Sequence, residues 1–164
     1  MRDARPAGLN LFETTTDSAD ATRALGEALG RALLPGDVVL LEGGLGTGKT
    51  VFAQGLARGL GLRGAVKSPT FTLVHEHHAK AWPGARTDLA HLDLYRLPEG
   101  SSIMDLGLDE FLEHGVIAAE WGARLAIGYP DHVLVTLADG GGGETRRIVI
   151  EGKGRGAQRV EALS

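Results

Sequence analysis

Residues 43–50 read Gly43-Gly44-Leu45-Gly46-Thr47-Gly48-Lys49-Thr50, a complete match to the pattern G-x-x-x-x-G-K-[ST]. This pattern constrains the fold strongly, because its glycines form a cradle only when a strand delivers the chain to them and a helix carries it away. Both flanks comply. Val38-Val39-Leu40-Leu41-Glu42 is an apolar run of strand length, and residues 51–60 have helical character. A glycine-rich turn is the competing interpretation in a chain with 25 glycines among 164 residues, but it leaves the Lys-Thr pair at this spacing unexplained.

In such a loop successive backbone N–H groups converge on phosphate oxygens, and the positive end of the following helix adds to the attraction. The spacing gives this backbone role to Leu45, Gly46, Thr47 and Gly48. Lys49 supplies a point charge for the β and γ phosphates, and the Thr50 hydroxyl is offered to Mg²⁺, which needs few protein ligands. The expected cofactors are therefore a nucleoside triphosphate and magnesium.

Composition narrows the class. With 43% hydrophobic and 23% charged residues, the chain fits one domain spanning residues 1–164, with 1–10 and 152–164 expected to be flexible. The absence of cysteine removes disulfides and thiolate metal sites. The longest apolar runs, 38–41 and 116–119, are too short to span a bilayer, and no apolar segment follows the charged start at Met1-Arg2-Asp3. A cytoplasmic location without membrane contact is expected. A net charge of −4 argues against general attraction to nucleic acid, so any RNA contact is expected to be shared with a partner.

Several elements surround the loop. Residues 14–18 offer helix caps, and Ala21, Ala24, Leu25, Ala28, Leu29, Ala32 and Leu33 recur at helical spacing until Pro35-Gly36. Gly55 and Gly59 weaken the helix after the loop, and close packing against a sheet is expected to compensate; Gly61 is its expected stop. Ser68-Pro69-Thr70 opens a β-rich run, either as a simple strand entry or as a rigid turn reaching the γ phosphate or its magnesium. His75 and His77 fall on one strand face without a carboxylate pattern to complete a metal site, and residues 77–88 form a hairpin connection. Over 87–97, Ala90, Leu92 and Leu94 share one face, with His91, Asp93 and Tyr95 on the other. Asp93 therefore faces either a cation in a polar site or solvent, where Arg96 could pair with it.

Val116-Ile117-Ala118-Ala119-Glu120-Trp121 reads as a buried strand with Glu120 at its carboxyl end. Ligands bind at that end of open α/β sheets, which suits Glu120 to magnesium or an attacking water. His132 through Asp139 forms a similar run, but residues 140–143 are all glycine and an apolar strand follows, so Asp139 opens a hairpin instead. A short helix containing Ile103, Met104, Leu106, Leu108, Phe111 and Leu112, capped by Ser101 or Ser102 and interrupted by Gly107, is expected. The tail, with Lys153, Arg155 and Arg159, reads as solvated, with one or two helical turns over 158–163. The fold class is α/β: a small single-domain P-loop NTPase with a mixed, partly parallel sheet flanked by helices.

The loop alone does not select a chemistry. No Asn-Lys-x-Asp segment is present to read guanine, which favours ATP, and Arg63, Arg86, Arg96 and Arg124 are too scattered to form a kinase lid. The chain resembles the TsaE (YjeE-like) family of ATPases, in residues 43–50, in Val66-Lys67-Ser68-Pro69-Thr70-Phe71-Thr72-Leu73-Val74, in His91-Leu92-Asp93-Leu94-Tyr95-Arg96-Leu97 and in Glu120-Trp121. These motifs keep the family's order and similar spacing over about residues 11–150.

The resemblance implies an ATPase that supports the threonylcarbamoyladenosine (t6A) modification of tRNA adenosine, with TsaD and TsaB as partners and tRNA contacted through the complex. It further implies that Lys49 contacts phosphate, that Thr50 and Glu120 hold magnesium, and that Asp93 assists the metal or the attacking water. Thr70 would lie in a switch-like loop and Trp121 would line the site. Lys49, Asp93 and Glu120 are the expected catalytic residues. Gly44 stands where the family commonly has Asp, a change that spares a cradle built from backbone. Two alternatives are a small-molecule kinase, which would transfer the γ phosphate to a metabolite, and a nucleotide-gated assembly module whose hydrolysis is dispensable.

Overall fold

The computed structural model of the chain describes residues 8–63, 73–95, 97–98 and 106–164. Its centre is β2 (Val38–Glu42), whose first four residues are buried. An apolar strand of this kind needs cover on both faces and both edges. It pairs in parallel with β5 (Gly115–Glu120) on one side and β6 (Val133–Asp139) on the other.

The described residues build a seven-stranded sheet that continues outward from this parallel centre, in the order β1-β7-β6-β2-β5-β4-β3. β4 (Asp88–Asp93) joins β5 in parallel, and β3 (Val74–His77) closes that edge antiparallel to β4. On the other flank β7 (Arg146–Lys153) forms the expected hairpin with β6, and β1 (Leu9–Thr16) pairs antiparallel with β7. The sheet is mixed, as the alternation of apolar runs and hairpin turns requires.

Two cores form on the two faces. On one, Leu29 of α1 (Ala19–Ala32), Leu33 at its C-cap, and Phe52 and Leu56 of α2 (Lys49–Gly59) pack against Val39, Leu41, Leu89 and Val116. On the other, Leu108 and Phe111 of α3 (Leu108–Leu112) meet Val38, Leu40, Ala90 and Ile117. Ser18 caps α1 by accepting from the Ala21 N–H at 3.0 Å.

The glycines of α2 pack differently from the sequence expectation. They face α1, not the sheet: a Cβ on Gly55 would lie 2.1 Å from the Arg23 carbonyl oxygen, and one on Gly59 would lie 2.3 Å from that of Glu27. Gly26 and Gly30 of α1 answer them, with Cβ positions 2.4 Å from the carbonyl oxygens of Phe52 and Leu56 respectively. Four glycines thus let two helix backbones touch, which anchors α2 and the loop at its start.

Three further expectations are corrected. The tail is not loosely held, because β7 runs to Lys153 and α4 (Arg155–Glu161) follows, with Val160 1% exposed. Arg159 is not solvated but pairs with the buried Asp37 at 2.7 Å, and Arg155, itself exposed, reaches the same carboxylate at 3.1 Å. The segment 14–16, read as helix caps, belongs to β1, where Thr16 shares a 2.7 Å hydrogen bond with Thr22 of α1. No helix among the described residues is long and apolar enough to cross a membrane.

Candidate nucleotide site

The site lies at the carboxyl ends of β2, β4 and β5. Residues 43–48 leave β2 and enter α2 through Gly48, whose φ of 100° lies in the left-handed region that glycine occupies without strain. The loop backbone therefore meets the first turn of α2, where N–H groups have no partner within the helix. A cavity of about 470 Å³ opens beside it, lined by Leu45, Gly46, Thr47, Gly48, Lys49, Thr50, Asp93, Glu120 and Trp121, together with Val51 and Tyr95. The sequence-expected residues converge here, except Thr70, which lies outside the described residues along with Ser68, Pro69 and Arg96.

Lys49 is folded back on its own loop. Its Nζ donates to the carbonyl oxygens of Gly43 and Gly44, each at 2.7 Å, and lies 4.4 Å from the centre of the Trp121 ring. Burial draws its ammonium below the usual lysine value, opposed by the negative charges of Glu120, Glu42 and Asp93. The cation is thus held by carbonyl oxygens and an aromatic face, both weaker partners than a phosphate.

Glu120 occupies the centre of the polar cluster and is 4% exposed. It accepts from the Thr50 hydroxyl at 3.1 Å, while its Oε2 is 2.6 Å from His91 Nε2. Register explains the convergence: Asp93 and Glu120 are direct partners across β4 and β5, so their side chains emerge on the same face. The Thr50 hydroxyl and the two carboxylates form an all-oxygen donor set, the kind a hard divalent cation takes. Asp93 Oδ1 also accepts from the Tyr95 N–H at 3.0 Å.

Trp121 carries a backbone signature of its own. Among the described residues it is the non-glycine with positive φ, 57°, a conformation that costs a bulky residue on the order of 1–3 kcal/mol. Its N–H donates to the Leu41 carbonyl at 2.9 Å, and Glu42 accepts from the Ala123 N–H at 2.6 Å, fixing the turn on both sides. The ring is then presented to Lys49 and to Tyr95, whose ring centre is 4.9 Å away.

Two participants escaped the sequence reading. His91 is fully buried and not on an exposed strand face, and its Nδ1 has no hydrogen-bond partner among the described residues. Its place on the Asp93 face in the alternating pattern was the available signal. Arg146 donates to the carbonyl oxygens of Thr47 and Gly46, each at 3.1 Å, from the start of β7. No local pattern announces it. Arg146 also borders a second cavity of about 180 Å³ on the other side of the loop, lined by Thr22, Gly46, Gly48, Val51 and Glu144. Arg86 and Arg124 serve the fold: Arg86 binds the carbonyls of Gly30 and Gly59, and Arg124 those of Leu97 and Pro98.

The chain is similar to known proteins of one family. Residues 16–148 match the family model described as threonylcarbamoyl adenosine biosynthesis protein TsaE. The tRNA threonylcarbamoyladenosine biosynthesis protein TsaE of Treponema pallidum is 41% identical over 128 residues, covering 75% of this chain and 90% of that protein. The Bacillus subtilis protein of the same name is 36% identical over 140 residues, covering 85% and 84%. The crystal structure of Bacillus subtilis YdiB superposes with a TM-score of 0.74 at 30% identity, covering 94% of this chain and 95% of that one.

Proposed function

This chain belongs to the TsaE family of tRNA threonylcarbamoyladenosine biosynthesis proteins, and on that premise we propose that it binds and hydrolyses Mg-ATP to support t6A formation together with TsaD and TsaB. The observation that carries the reading is the meeting of Lys49, Thr50, Asp93, Glu120 and Trp121 around one cavity beside the loop. ATP supplies the phosphates this cradle fits, and magnesium, when bound, would neutralise charge on them.

The chain's own groups account for the remaining steps. Lys49 exchanges the carbonyls of Gly43 and Gly44 for phosphate oxygens, a gain because the acceptor becomes charged. Thr50 and Glu120 would hold the magnesium, and His91 fixes the Glu120 carboxylate through its Nε2. Asp93, opposite Glu120 in register, orients the water that attacks the γ phosphate in line.

Arg86 and Arg124 are both engaged with backbone carbonyls, and neither is free to reach a transferring phosphoryl group. An arginine finger is worth about 10³–10⁵ in rate, and among the described residues neither Arg86 nor Arg124 supplies one, so hydrolysis by the isolated chain is read as slow and stimulated when partners dock. The contact with tRNA is made through those partners, consistent with the net charge of −4.

A reconstituted reaction tests the role of hydrolysis. TsaD, TsaB, tRNA and this protein are combined, and t6A is measured with the wild-type chain or with Glu120→Gln. Loss of repeated t6A formation with Glu120→Gln, while ATP still binds, supports the ATPase reading. Undiminished t6A would contradict it and favour a gating module.

A further inference from the structure

The loop of residues 43–50 has little packing to hold its shape. Gly44, Leu45 and Gly46 are exposed, Leu45 to 76%, and Gly46 and Gly48 have no side chains to lock their peptides. Glycine's freedom makes such a segment costly to order. Yet a phosphate cradle works only if its N–H groups already point at the ligand.

Arg146 meets this need from outside the motif. Its Nε and Nη2 reach the carbonyl oxygens of Thr47 and Gly46, while Nη1 donates to those of Gly143 and Thr145 at 2.7 and 2.9 Å. The guanidinium thereby clips the loop to the turn of the β6–β7 hairpin. That turn is itself fixed, because Asp139 accepts from the N–H groups of Gly141 and Gly142, each at 2.9 Å.

Peptide planarity converts this clip into a function. In a trans peptide the C=O and the next residue's N–H point in opposite directions. The Gly46 carbonyl shares its plane with the Thr47 N–H, and the Thr47 carbonyl shares its plane with the Gly48 N–H. Drawing both carbonyls toward Arg146 turns both N–H groups away from it. The geometry points to Arg146 as a positioning residue for phosphate binding, one that acts through the orientation of the Gly46–Thr47 and Thr47–Gly48 peptides. This deepens the nucleotide reading above and rests on it.

The fork is essential to the role. A guanidinium has five N–H donors in a rigid plane and can hold two adjacent carbonyls while gripping the hairpin. A lysine at 146 keeps the charge but not the fork. Comparing Arg146→Lys with Arg146→Gln therefore separates clamping from simple attraction of phosphate by a nearby charge.

The experiment is calorimetric titration of wild type, Arg146→Gln and Arg146→Lys with ADP and with AMP, alongside amide NMR of the ligand-free proteins and thermal melting. Arg146→Gln is expected to weaken ADP binding about tenfold or more, because two N–H donors to a charged acceptor lose their orientation. AMP, lacking the β phosphate that the cradle grips, loses less. Arg146→Lys recovers less than half of the ADP loss on a logarithmic scale. In both variants the Thr47 and Gly48 amide resonances shift or broaden more than those of the sheet, with melting temperatures close to wild type.

Unchanged ADP affinity in Arg146→Gln, or full recovery in Arg146→Lys, would overturn the assignment. So would an equal loss for AMP and ADP, which would place the guanidinium on the nucleoside. Failure of wild type to bind ADP would contradict the nucleotide reading itself. The ligand-free amide spectra then decide on Arg146, since unperturbed Thr47 and Gly48 resonances in Arg146→Gln would refute the clip.

Discussion

His91 Nε2 lies 2.6 Å from Glu120 Oε2, in a place where His91 is fully buried and Glu120 is 4% exposed. A carboxylate withdrawn from water needs hydrogen-bond partners, and among the described residues the Thr50 hydroxyl at 3.1 Å is the other side-chain partner. Glu120 is thus aimed before any ligand arrives.

Removing His91 should expose this dependence. His91→Leu is expected to destabilise the fold by about 2–3 kcal/mol, because it leaves a buried carboxylate under-solvated. Adding Glu120→Gln should return at least about 1 kcal/mol, and urea unfolding of both single variants and the double variant measures that coupling. Additive losses would mean that the short contact carries no energy.

The helix crossing gives an independent prediction. Ala is preferred to Gly in a helix by about 1 kcal/mol, yet Gly55→Ala should destabilise by about 2–3 kcal/mol net. The new methyl would meet the Arg23 carbonyl, and a backbone oxygen cannot turn aside. A denaturant midpoint at or above wild type would contradict the close approach.

The sheet edge predicts a pH dependence. Burial, reinforced by His75, His91 and His78, lowers the His77 pKa from its usual 6.5 to about 4, and its Nε2 has no partner among the described residues. The unfolded chain therefore takes up a proton that the folded chain refuses. Stability that is whole above about pH 6.5 should decline as the pH falls toward 4. His77 is half-buried, so solvent screening leaves about 1–2 kcal/mol of this effect. Unfolding at pH 7 and pH 5 should show the decline in wild type and a smaller one in His77→Phe; equal slopes would remove His77 as the cause.

Much of this arrangement was legible in the sequence, and the parts that were not share a physical reason. The loop, β2, α2 and the place of Glu120 follow from local pattern, because each is specified by residues next to it in the chain. Alternation alone leaves Asp93 between a polar site and solvent; the family resemblance assigns it to the metal or the attacking water, and its register with Glu120 across β4 and β5 sets both carboxylates on one face. β1 was missed because its inward positions include Thr14 and Thr16 while Leu11 is 38% exposed, the reverse of the usual alternation. The bonds from Arg159 to Asp37 and from Arg146 to Thr47 join residues far apart in sequence, and nothing local records them.

Trp121 offers a direct view of the lysine. Lys49 Nζ sits 4.4 Å from the centre of its ring, so transfer of the ammonium to phosphate should change the indole emission. In a Trp82→Phe background, ATP should shift Trp121 fluorescence saturably, and Lys49→Ala should lose the response. An ATP response that survives Lys49→Ala would show that the cation does not move as described.

Phosphate release from ATP is the most direct measurement of the central claim. The purified protein is assayed alone and with TsaD, TsaB and tRNA, using Lys49→Ala and Glu120→Gln as controls. Slow release alone, clear stimulation by the partners, and loss of both with either substitution is the expected result. Release that the partners leave unchanged, or that persists in either variant, would contradict an ATPase built on these residues to serve tRNA modification.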